Sequence, residues 1–169
     1  LLLLRARETF RGLVTDRVPE SAEATVWLAR VYLRQNYGDK LIELARSPAH
    51  SPLSGDQRAM VHLFAGVWLE DQGRFDEAIA MFRQVAKIGE SASQRAEGLW
   101  RAGWVQYRVA RYREAAQTFR AVVEMHVNGF EPQAMYWAAR AGEREKDPTV
   151  VEQYGRICQR YAYSYYCQL

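Results

Sequence analysis

Three histidines, two cysteines and a few carboxylate pairs are the residues of this 169-residue chain that could do chemistry, and their spacing argues against most of it. His50, His62 and His126 lie far apart, and none has a second His or a Cys at the helical spacing that a metal requires. His62 is read as a core or interface residue on the inner side of a helix rather than as a ligand or a base. Cys158 and Cys167 fit no zinc-binding spacing. They are read as free, partly buried thiols, with a disulfide across a helix–turn–helix corner as the alternative, and they leave the redox compartment open. Glu143 and Glu145 fall on a solvent face. The sequence has no Gly-rich loop leading into Lys-Ser/Thr and no Gly-x-Ser-x-Gly elbow. No cofactor and no metal is expected.

The five tryptophans, Trp27, Trp68, Trp100, Trp104 and Trp137, hold more interest. Helical spacing sets Trp100, Trp104 and Tyr107 along one face of one helix, and Trp137 is the equivalent residue of the next unit. Such rings either fill the core between units or line a groove, where they suit peptide anchors and sugar faces alike. Arg101, Arg108, Arg140 and Arg144 flank them, which would suit an acidic partner. The groove candidates are Leu63, Val67, Glu70, Trp100, Trp104, Tyr107, Arg108, Trp137 and Arg140.

The composition suits helices that would position these residues. Hydrophobic residues make up 49% and charged residues 25%, enough to bury a core and inconsistent with disorder. Five prolines and eleven glycines are too few for a chain of many β-turns. The 23 basic residues nearly balance 20 acidic ones, for a net charge of +3. Arg is mixed with Glu along most helices, whereas a nucleic-acid binder concentrates basic residues on one face, so an RNA-binding repeat is not expected. Leu1-Leu2-Leu3-Leu4 runs straight into Arg5, short of the roughly 18 apolar residues of a membrane span and without the pattern of a signal peptide. The chain is expected to begin inside a helix and to stop in the first turns of another, at Tyr166-Cys167-Gln168-Leu169, as a fragment of a longer protein.

Self-similarity organises the rest. Gly103 follows Gly66 by 37 positions, and at that offset Phe75 falls on Tyr112, Ala78 on Ala115, Phe82 on Phe119 and Val85 on Val122. One step back lies Ala29, and one step forward Arg140, with Trp100 falling on Trp137. Four units result, about 20–54, 55–90, 91–130 and 131–161, with partial units at both ends. Apolar residues recur at three and four within each unit, so each unit is two helices. The breaks between them are Gln35-Asn36-Tyr37-Gly38, Gln72-Gly73-Arg74, Val109-Ala110-Arg111 and Lys146-Asp147-Pro148. Residues 2–14 are the second helix of a preceding unit. Ser47 through Gly55, with Pro48, His50 and Pro52, is a loop. Ser91 and the Pro19-Glu20-Ser21 stretch are expected to cap the helices that follow. Phe82 and Phe119 are expected to fill the space between units.

A small residue in the middle of the first helix (Ala29, Gly66, Gly103), Gly near the turn, and Ala78 then Phe82 or Ala115 then Phe119 four apart resemble the tetratricopeptide repeat. The period of 37 is longer than the usual value of about 34. The resemblance implies an all-α fold of about ten helices, stacked hairpins in a right-handed superhelix whose first helices line a concave surface. A narrower resemblance lies in Tyr136, Trp137 and Arg140, followed by a helix ending at Tyr161 and by Ser164-Tyr165-Tyr166. These residues are similar to a Tyr-Trp-x-x-Arg helix and a Ser-Tyr-Tyr start in the α-superhelical region of soluble lytic murein transglycosylases. This chain has Ala162 where that family usually has Pro. That family's catalytic Glu-Ser followed by Gly-Leu-Met-Gln is absent, since Glu20-Ser21 and Glu90-Ser91 lead to no such stretch.

The resemblance therefore implies a non-catalytic scaffold in a periplasmic enzyme of peptidoglycan turnover. Its partners would be a protein or peptide, the catalytic domain of its own parent chain, or peptidoglycan glycan, with no nucleic acid and no membrane span. The alternative is a tetratricopeptide adaptor between proteins, for example in cell-envelope assembly.

Overall fold

A computed structural model describes residues 2–16, 18–47 and 53–169, and among these the chain is helical throughout, without a strand. The helices are α1 (Leu2–Thr15), α2 (Ser21–Arg34), α3 (Gly38–Arg46), α4 (Gly55–Asp71), α5 (Phe75–Ile88), α6 (Ala92–Arg108), α7 (Tyr112–Glu124), α8 (Glu131–Arg144), α9 (Val150–Arg160) and α10 (Tyr165–Gln168). Each packs mainly on its chain neighbours, and α2 also packs on α4. The result is a stack of hairpins, α2/α3, α4/α5, α6/α7 and α8/α9, preceded by α1 and followed by the turn of α10. Pro48, His50, Pro52 and the rest of 48–52 lie outside the described residues, as does Leu1.

The four breaks within hairpins are one structure repeated. Asn36, Gly73, Ala110 and Lys146 each adopt a left-handed backbone, with φ of 58°, 71°, 61° and 60°. In the first, the Tyr37 N–H donates to the Tyr32 carbonyl and the Asn36 N–H to the Leu33 carbonyl. The same pair of bonds recurs from Arg74 to Leu69 and Gly73 to Glu70, from Arg111 to Gln106 and Ala110 to Tyr107, and from Asp147 to Gly142 and Lys146 to Glu143. These are Schellman ends, which satisfy the last carbonyls of the first helix and reverse the chain into the second. Only the second unit places glycine at the left-handed position.

Helix separation is set by missing side chains. A Cβ on Gly66 would lie 2.5 Å from the Phe82 ring, and one on Gly103 would lie 2.9 Å from the Phe119 ring. Both rings are fully buried. Each ring seats on the glycine of its own hairpin, and Phe82 belongs to a core cluster that also takes in residues of the hairpins on either side. Backbone contact between hairpins is made at Gly98, where a Cβ would lie 2.7 Å from the Phe82 carbonyl oxygen and the Ala86 nitrogen. Here α6 meets the backbone of α5 directly. Gly38 likewise lies flat under the Trp68 ring, whose Nε1 donates to the Asn36 side chain across the first two hairpins. One buried polar side chain escaped the sequence pattern. Gln106 is fully buried and satisfied, donating to Glu114 Oε2 at 3.2 Å and accepting from Thr118 Oγ1 at 2.8 Å.

Two expectations are corrected. Ser91 caps α6 by accepting from the Gln94 N–H, and Ser54 forms a reciprocal capping box with Gln57 on α4. Before α2, however, the cap position falls on Glu20, whose side chain makes no cap bond, and Ser21 is the buried first residue of the helix. Cys158 and Cys167 are not free thiols: they are joined in a disulfide that ties α10 to α9, with their Cα atoms 4.8 Å apart. The corner between them is short enough to bring two half-buried thiols together, which spacing alone did not decide.

Glycine therefore has opposite meanings along this chain. Gly12 has open space around its missing Cβ, so Gly12→Ala is expected to stabilise α1 by about 1 kcal/mol through helix propensity. Gly66→Ala should destabilise instead, because overpacking of roughly 1–3 kcal/mol outweighs the same gain. At the left-handed positions Ala110→Gly should stabilise by about 0.5–1 kcal/mol, whereas the same exchange at the exposed helical Ala80 should cost about 1 kcal/mol. Urea unfolding of the four variants reads all four signs.

Candidate functional site

The aromatic residues of α6 and α8 come together. Trp100, Trp104 and Tyr107 stand along α6 with near-parallel rings, 6.5 Å apart at 14° and 6.3 Å apart at 8°. Trp137 of α8 meets two of them edge-on, 4.8 Å from Trp104 and 5.0 Å from Tyr107. Edge-to-face contact aligns a positive ring edge with a negative face and adds to plain area burial. All four are half-buried against Ala115, Ala116, Phe119, Ala138 and Ala141. The ladder is thus a half-buried seam between the last two hairpins.

The charged candidates already have partners. Arg108 pairs with Glu70, the carboxylate of α4 one unit earlier. Arg140 pairs with Glu143 at 2.6 Å, and the flanking Arg101 with Glu97 at 2.7 Å. These guanidinium groups are engaged in joining and stiffening helices. Leu63 and Val67 of α4 are partly buried on the larger core built from α2 to α6.

A different concavity collects residues from the first helices of three hairpins and the residue that precedes the fourth. A cavity of about 580 Å³ is lined by Val26 of α2, Met60 and Leu63 of α4, Gln94 and Glu97 of α6, and Phe130 just before α8, with Asp56, Gln57, Ser91 and Ser93 at its rim. No residue of α3, α5, α7 or α9 enters it. Of the nine groove candidates only Leu63 lines this space. Val26, Met60 and Phe130 carried no sequence signal beyond ordinary helical periodicity, because their meeting depends on how four helices are spaced. Arg140 lines another cavity, of about 320 Å³, with Tyr136, Glu143, Tyr154, Tyr166 and the disulfide.

The rim of the larger cavity is held by a reciprocal clasp between the starts of α4 and α6. The Asp56 carboxylate accepts from the Glu90 and Ser91 N–H groups at 2.6 and 3.0 Å, and the Glu90 carboxylate accepts from the Gly55 N–H at 2.7 Å. The Gln94 amide donates to the Asp56 carbonyl at 2.9 Å. Each acid meets N–H groups at or beside a helix start, where helix dipoles favour negative charge. The Ser91 backbone bond, with that from Glu90, holds the Asp56 carboxyl below the usual carboxylate range against the opposing effect of burial.

The remaining titratable side chains do not converge. His62 Nδ1 lies 2.9 Å from the Arg58 carbonyl of its own helix, and His126 Nδ1 lies 3.4 Å from Glu131, while His50 lies outside the described residues. Glu131 is buried and ion-paired to Arg160 at 2.7 Å, which joins the start of α8 to the end of α9. Glu143 and Glu145 are exposed. Among the described residues no group of three His, Cys, Asp or Glu could hold a metal, and no helix is long and apolar enough to cross a membrane.

The clasp predicts an acid response. A carboxylate whose folded pKa is depressed contributes stability that is complete above its unfolded value of about 3.9 and disappears as pH falls through the folded value. Asp147, held low first by the Thr149 hydroxyl, and Asp76, held low by Arg111, act in the same direction. Stability should therefore fall steeply below about pH 4. Asp56→Asn should lower stability at pH 7 and flatten that fall, measured by urea midpoints across the acid range.

No curated protein matches the chain. The family model of the tetratricopeptide repeat matches residues 3–48 and 101–156, which carry α1 to α3 and most of α6 through α9. The segment between them holds the Gly66–Phe82 and Gly98 contacts of the same hairpin stack. With more than half its length under that model and its helices stacked as hairpins, the chain belongs to the tetratricopeptide repeat family.

Proposed function

We propose that this array is a non-catalytic scaffold that binds a protein segment along the surface of its first helices, anchored in the cavity of Val26, Met60, Leu63 and Phe130. The observation that carries this reading is that the first helices of three successive hairpins, with Phe130 just before the fourth, contribute to one largely apolar space that no second helix enters. Repeats of this kind use such concave surfaces to take extended or helical segments. The charged groups of the lining are already paired, Asp56 with two N–H groups and Glu97 with Arg101, while the Gln94 amide oxygen is buried without a partner. An apolar side chain of the partner can therefore enter without displacing an unpaired charge.

Photo-crosslinking residues placed at Met60 and Leu63 should capture one defined partner segment, while a residue at Arg113 on α7 should not. Met60→Glu should abolish capture from Leu63 with the melting temperature changed by no more than about 2–4 °C. Equal capture from the α7 position would sink the groove as the binding surface.

A second reading is favoured by one further observation. Tyr136, Arg140 and Tyr166, which carry the resemblance to lytic murein transglycosylases, lie around one cavity although they are separated in sequence, and the Tyr136 and Tyr166 rings are 5.5 Å apart. In that reading the array is the superhelical region of a periplasmic peptidoglycan-cleaving enzyme. The Cys158–Cys167 disulfide supports an oxidising compartment, where such bonds persist. The reading requires the gene to encode a glutamate-dependent domain with Gly-Leu-Met-Gln downstream. A reading frame carrying only further repeats would leave the adaptor role in cell-envelope assembly.

A further inference from the structure

The cavity of Val26, Met60, Leu63 and Phe130 carries one sign of charge. Asp56 and Glu97 are the charged side chains of its lining, and among the described residues that line it none is Lys, Arg or His. In a chain of net charge +3 this is a local reversal. Both carboxylates are half-buried. The two N–H groups that hold Asp56 fall on a single oxygen, Oδ1. Glu97 takes Arg101 Nε on Oε1 at 2.7 Å, from a guanidinium that is not part of the lining. Arg95, whose charge also reaches Asp56, is turned to the Gly89 and Glu90 carbonyls. The Gln94 amide oxygen is buried without a partner. Acceptors are therefore in excess around an apolar floor.

Resting on the reading of this groove as the binding surface, we propose that the partner segment enters it with a Lys or Arg side chain. The aliphatic stem lies on Val26, Met60, Leu63 and Phe130, and the cationic head meets Asp56 and Glu97. Long basic side chains bury their methylenes on apolar surface and keep the charge at a polar edge. A Leu or Phe of the partner would cover the floor equally well. It would also take water from two carboxylates and offer nothing in its place, which costs free energy. A cationic head replaces that water with charge-assisted hydrogen bonds. An acidic side chain meets like charge and is disfavoured. Arg101 is then a competitor within the chain for Glu97, and its removal leaves more negative charge for the partner.

Methyl NMR of the full chain, read at Met60, tests this with probes of similar length: n-butylguanidinium, n-pentanol and pentanoate. The buried Met81 methyl of α5 reports that the fold is intact in each sample. At low ionic strength butylguanidinium should bind at least about threefold more tightly than pentanol, and pentanoate should be weakest. Salt at about 0.5 M should erase the preference. Glu97→Gln should weaken butylguanidinium by about twofold to fivefold and leave pentanol unchanged, whereas Arg101→Met should tighten butylguanidinium. Pentanol binding as tightly as butylguanidinium would overturn the cationic anchor and leave the groove standing, as would a Glu97→Gln variant that binds the cation like wild type. No shift at Met60 with any probe would remove the groove as well as the anchor.

Discussion

A hairpin of two helices cannot bury its own apolar face, so each unit here must close on its neighbour. The distance at which it closes is fixed by side chains that are absent. Gly66 and Gly103 receive the rings of Phe82 and Phe119 within their hairpins, and Gly98 receives the α5 backbone between hairpins. Close packing leaves no slack to absorb a methyl group at these points. The crossing of α5 and α6, and with it the spacing of α4 and α6, follows from contacts that only glycine permits.

The turns then propagate that geometry. Four Schellman ends return the chain at the same left-handed step, although three of them use Asn, Ala or Lys where glycine costs least. Packing of the helices on either side over-determines those conformations. The clasp of Asp56 and Glu90 performs a related task at the opposite ends of the first helices. It satisfies N–H groups at or beside the starts of α4 and α6 with the carboxylates of Glu90 and Asp56. The carboxylates bordering the cavity beneath are therefore already engaged, and the Gln94 amide oxygen beside them is left without a partner.

The stack is not uniform along its length. Its middle is fastened by backbone contact at Gly98 and by the Arg108–Glu70 pair, and the α6–α8 seam by aromatic rings. At the C-terminal end the fastening becomes covalent. Glu131, buried under Arg160, ties α8 to α9, and the disulfide ties α9 to α10.

The sequence by itself determined the helices, their pairing and the places where they break, because these are local matters. Periodicity of three and four, the 37-residue offset from Gly66 to Gly103, and Gly73 in its turn each act within one hairpin. It also brought out the aromatic residues of α6 and α8, whose spacing on one helix face is a local fact. It could not decide that Gln106 is buried with Glu114 and Thr118, or that Cys158 meets Cys167. Nor could it assemble Val26, Met60, Leu63 and Phe130 into one cavity, of which it anticipated Leu63 alone. Those outcomes depend on the angles and separations between helices far apart in the chain. Tertiary packing sets them through a few close contacts, and no periodicity within a single helix encodes them.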